Sequence, residues 1–222
     1  MIQEGLRSFL AYGYDGVGIG PVLSAVSVPK GSFYHFFRSK EDFAVAVLEA
    51  YVARYASFRG ALENDQTRPP LSRLRAHFEA LEKELVATFP AGGCLYGVLS
   101  QTITALGPVL RKRLKESFQI WQGSILHVLL QAQEVGDLDP AINAREAAAF
   151  LIDAYEGALI RMKSEGVASA FGRFRKFALE PLLAQAPRAA ASVHGKAAAP
   201  PGKRVGSPKN TKRSNRAVRA RR

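Results

Sequence analysis

Val28-Pro29-Lys30-Gly31-Ser32-Phe33-Tyr34-His35-Phe36-Phe37-Arg38-Ser39-Lys40 places four aromatic rings in the five positions from Phe33 to Phe37, with His35 among them. Pro29 suits the first turn of a helix, where its fixed φ is helical and its missing N–H loses no partner. Ser39, followed by Glu41 and Asp42, reads as the start of another helix. The pattern predicts a short helix from about Pro29 to Phe36, a tight turn, and a new helix from about Lys40. Phe33, Phe36 and Phe37 fall at i, i+3 and i+4, which predicts one apolar face. Lys30, Ser32, Tyr34 and His35 are then left pointing outward. A helix this short, packed on one side and showing donors on the other, has the form of the second helix of a helix-turn-helix. Taken alone, the run also fits an aromatic core cluster with Tyr34 and His35 as its polar fringe.

The flanks favour the first reading. Phe9-Leu10-Ala11-Tyr12-Gly13-Tyr14 reads as a helix end stopped at Gly13. Residues 19–26 read as a second short helix, and Ser27-Val28 as the turn into the next. Three short helices within the first forty or so residues, the last two tightly joined, fit helix-turn-helix geometry. From Gly13-Tyr14 through Lys40-Glu41 the chain resembles the DNA-binding domain of the tetracycline-repressor (TetR/AcrR) family. The matching residues are Phe9, Gly13-Tyr14, Val22 with Ala25, Val28, Lys30 through His35, Phe37 and Ser39-Lys40-Glu41. The resemblance implies an all-helical homodimer that binds operator DNA, usually represses, and is released by a small molecule. It also carries over Lys30, Gly31, Ser32, Tyr34, His35 and Lys40 as DNA contacts. The residue types suit that role: cations and helix N-termini meet phosphates, and Tyr and His reach phosphates or base edges.

Two features depart from the family pattern. Met1 stands where the family usually has several further, often basic residues, which implies fewer phosphate contacts there or further codons upstream. Gly18-Ile19-Gly20-Pro21 stands where the family commonly has Ser or Thr followed by polar side chains. Gly18 can cap the second helix, less well than Ser would. Fewer base contacts are expected from that helix.

The net charge of +12 is unevenly spread. Eleven Lys and Arg and no Asp or Glu fall in 187–222, leaving 20 basic and 19 acidic residues in 1–186. The basicity is thus a tail, rich in Ala, Pro, Gly and Ser, which is expected to be disordered. Its cations are expected to add salt-sensitive, sequence-independent DNA affinity. No apolar run approaches the 18–20 residues or so that span a bilayer, and no secretory signal is visible at the start. One cysteine, Cys94, allows no internal disulfide, which fits a reducing cytoplasm.

Along the chain, Met1 to Tyr12 is expected to be helical, with Ile2, Leu6, Phe9 and Leu10 inward. A single long helix is expected from Lys40 to about Leu62, its start against DNA and its far half in the next domain. Further helices are expected over Leu71–Phe89, Cys94–Leu106, Pro108–Val135, Ala144–Glu165 with Asn143 as N-cap, and Ser169–Gln185. Arg111-Lys112-Arg113 and Lys115 oppose the helix dipole and are expected to be solvated or paired. The segment 90–165 also resembles the family's ligand-binding half, more loosely: Gly93-Cys94-Leu95, Val109 through Leu114, and Gly136 through Pro140.

Candidate ligand-binding residues are His77, Phe78, Cys94, Tyr96, Gln101, Phe118, Trp121, Gln122 and Ile125. They mix aromatic and polar groups on helices expected to converge, and each is also compatible with ordinary core. Candidate dimer-interface residues are Phe150, Tyr155, Ala158, Leu159, Met162, Phe174 and Phe177, on the last two long helices, where core explains part of the stripe. Cys94 follows Gly92-Gly93 at an expected helix start, where the dipole favours a thiolate suited to sensing oxidants or electrophiles; a small buried residue is the alternative. The four histidines lack metal-ligand spacing, one cysteine makes no multi-thiolate zinc site, and no Gly-rich phosphate loop follows a strand. No catalytic residues, metal or cofactor are expected.

The fold expected is therefore all-α: a helix-turn-helix domain over 1–39, a larger helical ligand-binding and dimerisation domain over 40–186, and a tail over 187–222. The function expected is a cytoplasmic DNA-binding regulator, a repressor released by a small-molecule effector. Its partners would be double-stranded operator DNA, that effector and a second copy, with no membrane. The other reading is a nucleoid-type protein that binds DNA without sequence preference through its tail.

Overall fold

The computed structural model describes residues 1–88, 93–165 and 167–184. The basic segment 187–222 lies outside them, as does the expected helix end at Gln185. No strand occurs among the described residues.

The N-terminal unit forms around the aromatic run. Helix α1 (Ile2–Tyr12) buries Leu6, Phe9 and Leu10 and stops at Gly13, whose φ of 73° is left-handed. Helix α2 (Ile19–Ala25) buries Val22 and Leu23. The chain turns at Ser27, φ 53°, and Val28 N donates to Leu23 O at 3.0 Å. Pro29 is the N-cap of α3 (Lys30–Phe36) rather than its first helical residue. Helix α4 (Lys40–Arg54) starts as expected: Ser39 Oγ accepts from Asp42 N at 3.1 Å, and Asp42 returns a carboxylate to Arg38 N at 3.0 Å.

Phe33 is 1% exposed and meets Phe37 and Phe43 at ring-centroid distances of 5.4 and 5.5 Å. Gly5 on α1 is what lets α4 approach, because a Cβ there would lie 2.4 Å from the Phe43 ring. Phe36 departs from expectation and is 63% exposed. The helix ends at it, and Phe37, in extended conformation, swings its own ring back over Phe33 and Phe43. That leaves Phe36 no room on the packed face.

The long helix expected over 40–62 is two helices, α4 and α5 (Ala56–Asn64), broken at Tyr55. Neither Gly nor Pro marks the break. The Tyr55 ring packs inward against Tyr51 and Phe58, with centroids 4.8 and 5.4 Å away. Arg59 Nη2 donates at 3.0 Å to Val52 O, a carbonyl of the last turn of α4. Side-chain packing and this inserted donor replace the continuing backbone ladder.

Helix α6 (Pro70–Thr88) runs beside α5. Its Arg73 is 4% exposed and gathers three acceptors: Leu62 O, Glu63 O and Gln131 Oε1. It thus closes the carbonyl end of α5 and ties α5 and α6 to α8 (Pro108–Glu134). The expected helix over Cys94–Leu106 is shorter, α7 (Leu95–Gln101), followed by a 3₁₀ turn at Ile103–Ala105. At the start of α8, Leu110 N donates to Glu41 Oε1 at 2.9 Å. A Cβ at Gly107 would lie 2.1–2.3 Å from that carboxylate, so glycine makes this approach possible. Arg113 pairs with Glu49 and Glu116, and Lys112 with Glu116.

Asn143 caps α9 (Ala144–Glu165) as expected, accepting from Arg145 N and Glu146 N. The final helical stretch is interrupted: α10 (Val167–Phe174) passes through a π-helical turn at Arg175–Leu179 into α11 (Glu180–Leu183). Pro181, without an N–H to continue the α-helical ladder, lies just beyond that turn. No described helix is long and apolar enough to cross a membrane.

Candidate functional site

Helix α3 presents Lys30, Gly31, Tyr34 and His35 at the surface, with Ser32 half-buried. Tyr34 is 56% exposed but its ring leans edge-on against buried Phe33 at 5.2 Å, which fixes where its hydroxyl points. His35 sits edge-on to Phe36 at 5.0 Å. Lys40 is half-buried, its Nζ 4.3 Å from the centroid of the Tyr14 ring, and burial lowers its pKa. Exposed Arg38 joins this surface and was not singled out from the sequence. Residues 18–40 contain no Asp or Glu. A short helix offering cations and donors without a carboxylate suits a polyanion.

A second feature is a half-open cavity walled by α4 to α9. Tyr51, Tyr55, Arg59, His77, Leu81, Leu85, Cys94, Tyr96, Trp121, Tyr155 and Leu159 line it. Its volume is about 40 Å³, a narrow space between the side chains. Of the sequence candidates, His77, Cys94, Tyr96 and Trp121 are on its walls. Phe78 is buried behind them, packed on Tyr155 and Phe174. Phe118 backs Tyr96, and Ile125 is fully buried in the core. Gln122 donates to Arg145 O, and Gln101 is exposed. Tyr51, Tyr55 and Arg59 were not among the candidates, although their i, i+4 and i+8 spacing places them on one helical face.

The wall groups are neutral apart from Arg59. Burial holds the His77 ring down at about 4, aided by the charge of Arg59. Trp121 Nε1 donates to His77 Nε2 at 3.2 Å, so the neutral ring carries its proton on Nδ1. The Phe58 backbone carbonyl acts the other way from burial, as a hydrogen-bond partner that favours the charged ring. Burial raises the phenols of Tyr51, Tyr55 and Tyr96, Tyr55 to about 12.

Cys94 is the N-cap of α7 and accepts from Tyr51 Oη at 3.5 Å. Burial and the neighbouring Glu156 carboxylate push its pKa well up. The site therefore keeps a thiol, against the dipole argument made from its position alone.

Glu156 on α9 is half-buried as a residue, but its Oε1 is enclosed and without a partner. Burial lifts its pKa to about 7. Its folded value lies above the unfolded 4.5, so ionisation opposes folding. The cost is absent below pH 4.5, develops as pH rises to about 7, and is complete above it. Glu156→Gln is expected to stabilise the chain by up to about 3 kcal/mol at pH 8 and by much less at pH 5. Paired thermal melts at the two pH values measure this, and a lower melting temperature for the variant at pH 8 contradicts it.

The expected interface residues divide. Tyr155, Leu159, Met162 and Phe174 are buried within the protomer, the first two on the cavity wall. Phe150 and Phe177 are 56% and 67% exposed. They flank a groove between α9 and α10 floored by Ala154, Gly157, Ala158 and Phe174.

Comparison with known proteins agrees with this architecture. Residues 2–47 match the model of bacterial regulatory proteins of the tetR family, and residues 70–178 match the tetracyclin repressor-like C-terminal domain. The HTH-type transcriptional repressor DhaR of Mycobacterium sp. (strain GP1) is 31% identical over 82% of this chain and 90% of its own. The transcriptional regulator AcuR of Cereibacter sphaeroides is 34% identical over 74% of this chain and 75% of its own. The crystal structure of a regulatory protein TetR from Rhodobacter sphaeroides superposes with a TM-score of 0.76 at 32% identity, covering 81% of this chain and 95% of that one. None of these similarities favours the nucleoid-type reading. The helix-turn-helix, the helical second half and these relatives together place the chain in the tetracycline-repressor family, as a DNA-binding transcriptional repressor.

Proposed function

We propose that the chain acts in the cytoplasm as a homodimer that inserts two copies of α3 into successive major grooves of an operator and lets go when a small molecule enters the cavity. It works by binding alone, without catalysis. Lys30, Gly31, Ser32, Tyr34, His35 and Lys40 form the DNA contacts, with Arg38 beside them. The observation that carries this reading is α4: Lys40 at its start belongs to the DNA face, and Tyr51 three turns on is a cavity wall. The lever is α4 alone, since the chain breaks at Tyr55. Glu41 supplies a second link, because it holds the start of α8, the helix that carries Trp121. A ligand that shifts either wall changes the separation of the two α3 helices, and the operator's half-site spacing converts that shift into lost affinity. Residues 1–39 and 40–186 serve as the DNA-binding and effector-dimerisation domains, and 187–222 adds sequence-independent affinity.

The α9–α10 groove supports the dimer: exposed rings beside small residues allow close helix approach. Phe150→Glu with Phe177→Glu is expected to yield a folded monomer in sedimentation velocity that binds operator DNA at least a hundredfold more weakly. A variant that still sediments as a dimer places the interface elsewhere.

A further inference from the structure

We infer that Phe36, at the end of α3, is a sequence-reading residue: its ring seats against the 5-methyl groups of thymines in the major groove of the operator. This rests on α3 being the helix that enters the groove, and it names a side chain that discriminates among sequences there.

Phe36 is 63% exposed and takes no part in the core. Phe37 fills the place beside Phe33 and Phe43, with ring centroids 5.4 and 5.1 Å away. Among the described rings, Phe36 meets only its neighbours in sequence, His35 at 5.0 Å and Phe37 at 6.5 Å. One exposed apolar side chain is ordinary on a protein surface; the place of this one gives it meaning. Three phenylalanines are exposed among the described residues. Phe150 and Phe177 flank the groove proposed for the second copy, and the third is Phe36, on the helix proposed for DNA.

An α-helix turns by about 100° per residue, so the crest of α3 opposite buried Phe33 carries Gly31 and His35. Lys30 and Tyr34 lie along one flank, Ser32 and Phe36 along the other. The first flank offers an ammonium and a phenol, which suit phosphates and base edges. The second offers a hydroxyl and an apolar ring. That ring has neither charge nor hydrogen-bonding group, so it gains nothing from a phosphate. On the base edges of the major groove the apolar group is the thymine methyl, and Phe is among the side chains that meet it. Gly31 adds no side chain at the crest, so the helix can lie close to the base edges. His35 packs edge-on against the Phe36 ring and supports it from the crest side.

Uracil tests the inference at the level of one methyl group, because it pairs as thymine does and lacks only the 5-methyl. Duplexes preferred by the full chain are first selected from a random library. Each thymine of the selected site is then replaced by uracil in anisotropy titrations at fixed salt. At a thymine in each half-site, replacement is expected to weaken binding about fourfold, and about fifteenfold when both half-sites are changed. Phe36→Ala is expected to bind the thymine and uracil forms alike, and Phe36→Leu to keep part of the difference. Both variants are expected to melt as the parent does, since the ring lies outside the core, and to keep its salt slope, since no phosphate contact is lost. A site at which no uracil matters, or a uracil effect that persists in Phe36→Ala, overturns the role of Phe36 and leaves α3 as the reading helix. A Phe36→Ala chain that melts normally but loses affinity equally for all DNA also overturns it, the ring then packing on sugars. A selection that enriches no sequence overturns the inference together with the specific-repressor reading beneath it.

Discussion

Replacing Arg73 by methionine is expected to lower the stability of the chain by about 3–5 kcal/mol. The substitution keeps most of the side-chain volume and removes every donor. Leu62 O and Glu63 O, the last carbonyls of α5, and Gln131 Oε1 then lose a partner. Each orphaned acceptor costs about 1–3 kcal/mol where water cannot enter, partly offset because a cation no longer has to be desolvated. The loss falls where α5, α6 and α8 meet, which is also where the cavity wall is built. Urea unfolding measures it as a fall in midpoint at unchanged slope. A change below about 1 kcal/mol would mean that the three acceptors are satisfied without Arg73.

The second large effect is on DNA. Tyr34→Ala and Lys30→Ala each remove an exposed side chain, so neither disturbs the core, and each acts twice in a dimer. A single contact of this kind contributes about 1–3 kcal/mol. Counted at both half-sites, either variant is expected to weaken operator binding by about 30- to 20,000-fold. The two losses differ in kind. A phosphate contact from Lys30 affects all sequences alike and lowers the salt slope by about one per protomer. A base-edge contact from Tyr34 reduces the preference for operator over other DNA. Anisotropy titrations at several salt concentrations separate these signatures, and unaltered affinity in both variants removes α3 from the interface.

The DNA-binding half was largely legible in the sequence because local signals there agree with tertiary packing. Gly13 needs a left-handed turn, Ser39 caps α4 with Asp42, and Phe33 is the central ring. Phe36 was misjudged because spacing describes an ideal helix, whereas α3 ends there and Phe37 takes the place Phe36 would have filled. The break at Tyr55 left no trace because neither Gly nor Pro makes it. It arises from a ring packed inward and from Arg59 reaching back to Val52 O, contacts that pattern alone does not reveal. The cavity was half legible for the same reason. Helical spacing marks Tyr155 and Leu159 as buried but does not say whether they face a cavity or a second copy. Arg73 escaped notice because a lone Arg on a helix is ordinarily solvated, and only the end of α5 gives it three buried partners. Cys94 shows the limit of arguing from position, since burial outweighs the helix dipole at its thiol.

The central claim is that α3 reads a particular DNA sequence. The most direct measurement is fluorescence anisotropy of the full chain on the DNA upstream of its own coding sequence, competed with scrambled DNA of equal length at fixed salt. A specific repressor is expected to prefer the upstream DNA by a factor on the order of a thousand or more. Equal affinity for both would contradict the account and return DNA binding to the basic segment 187–222.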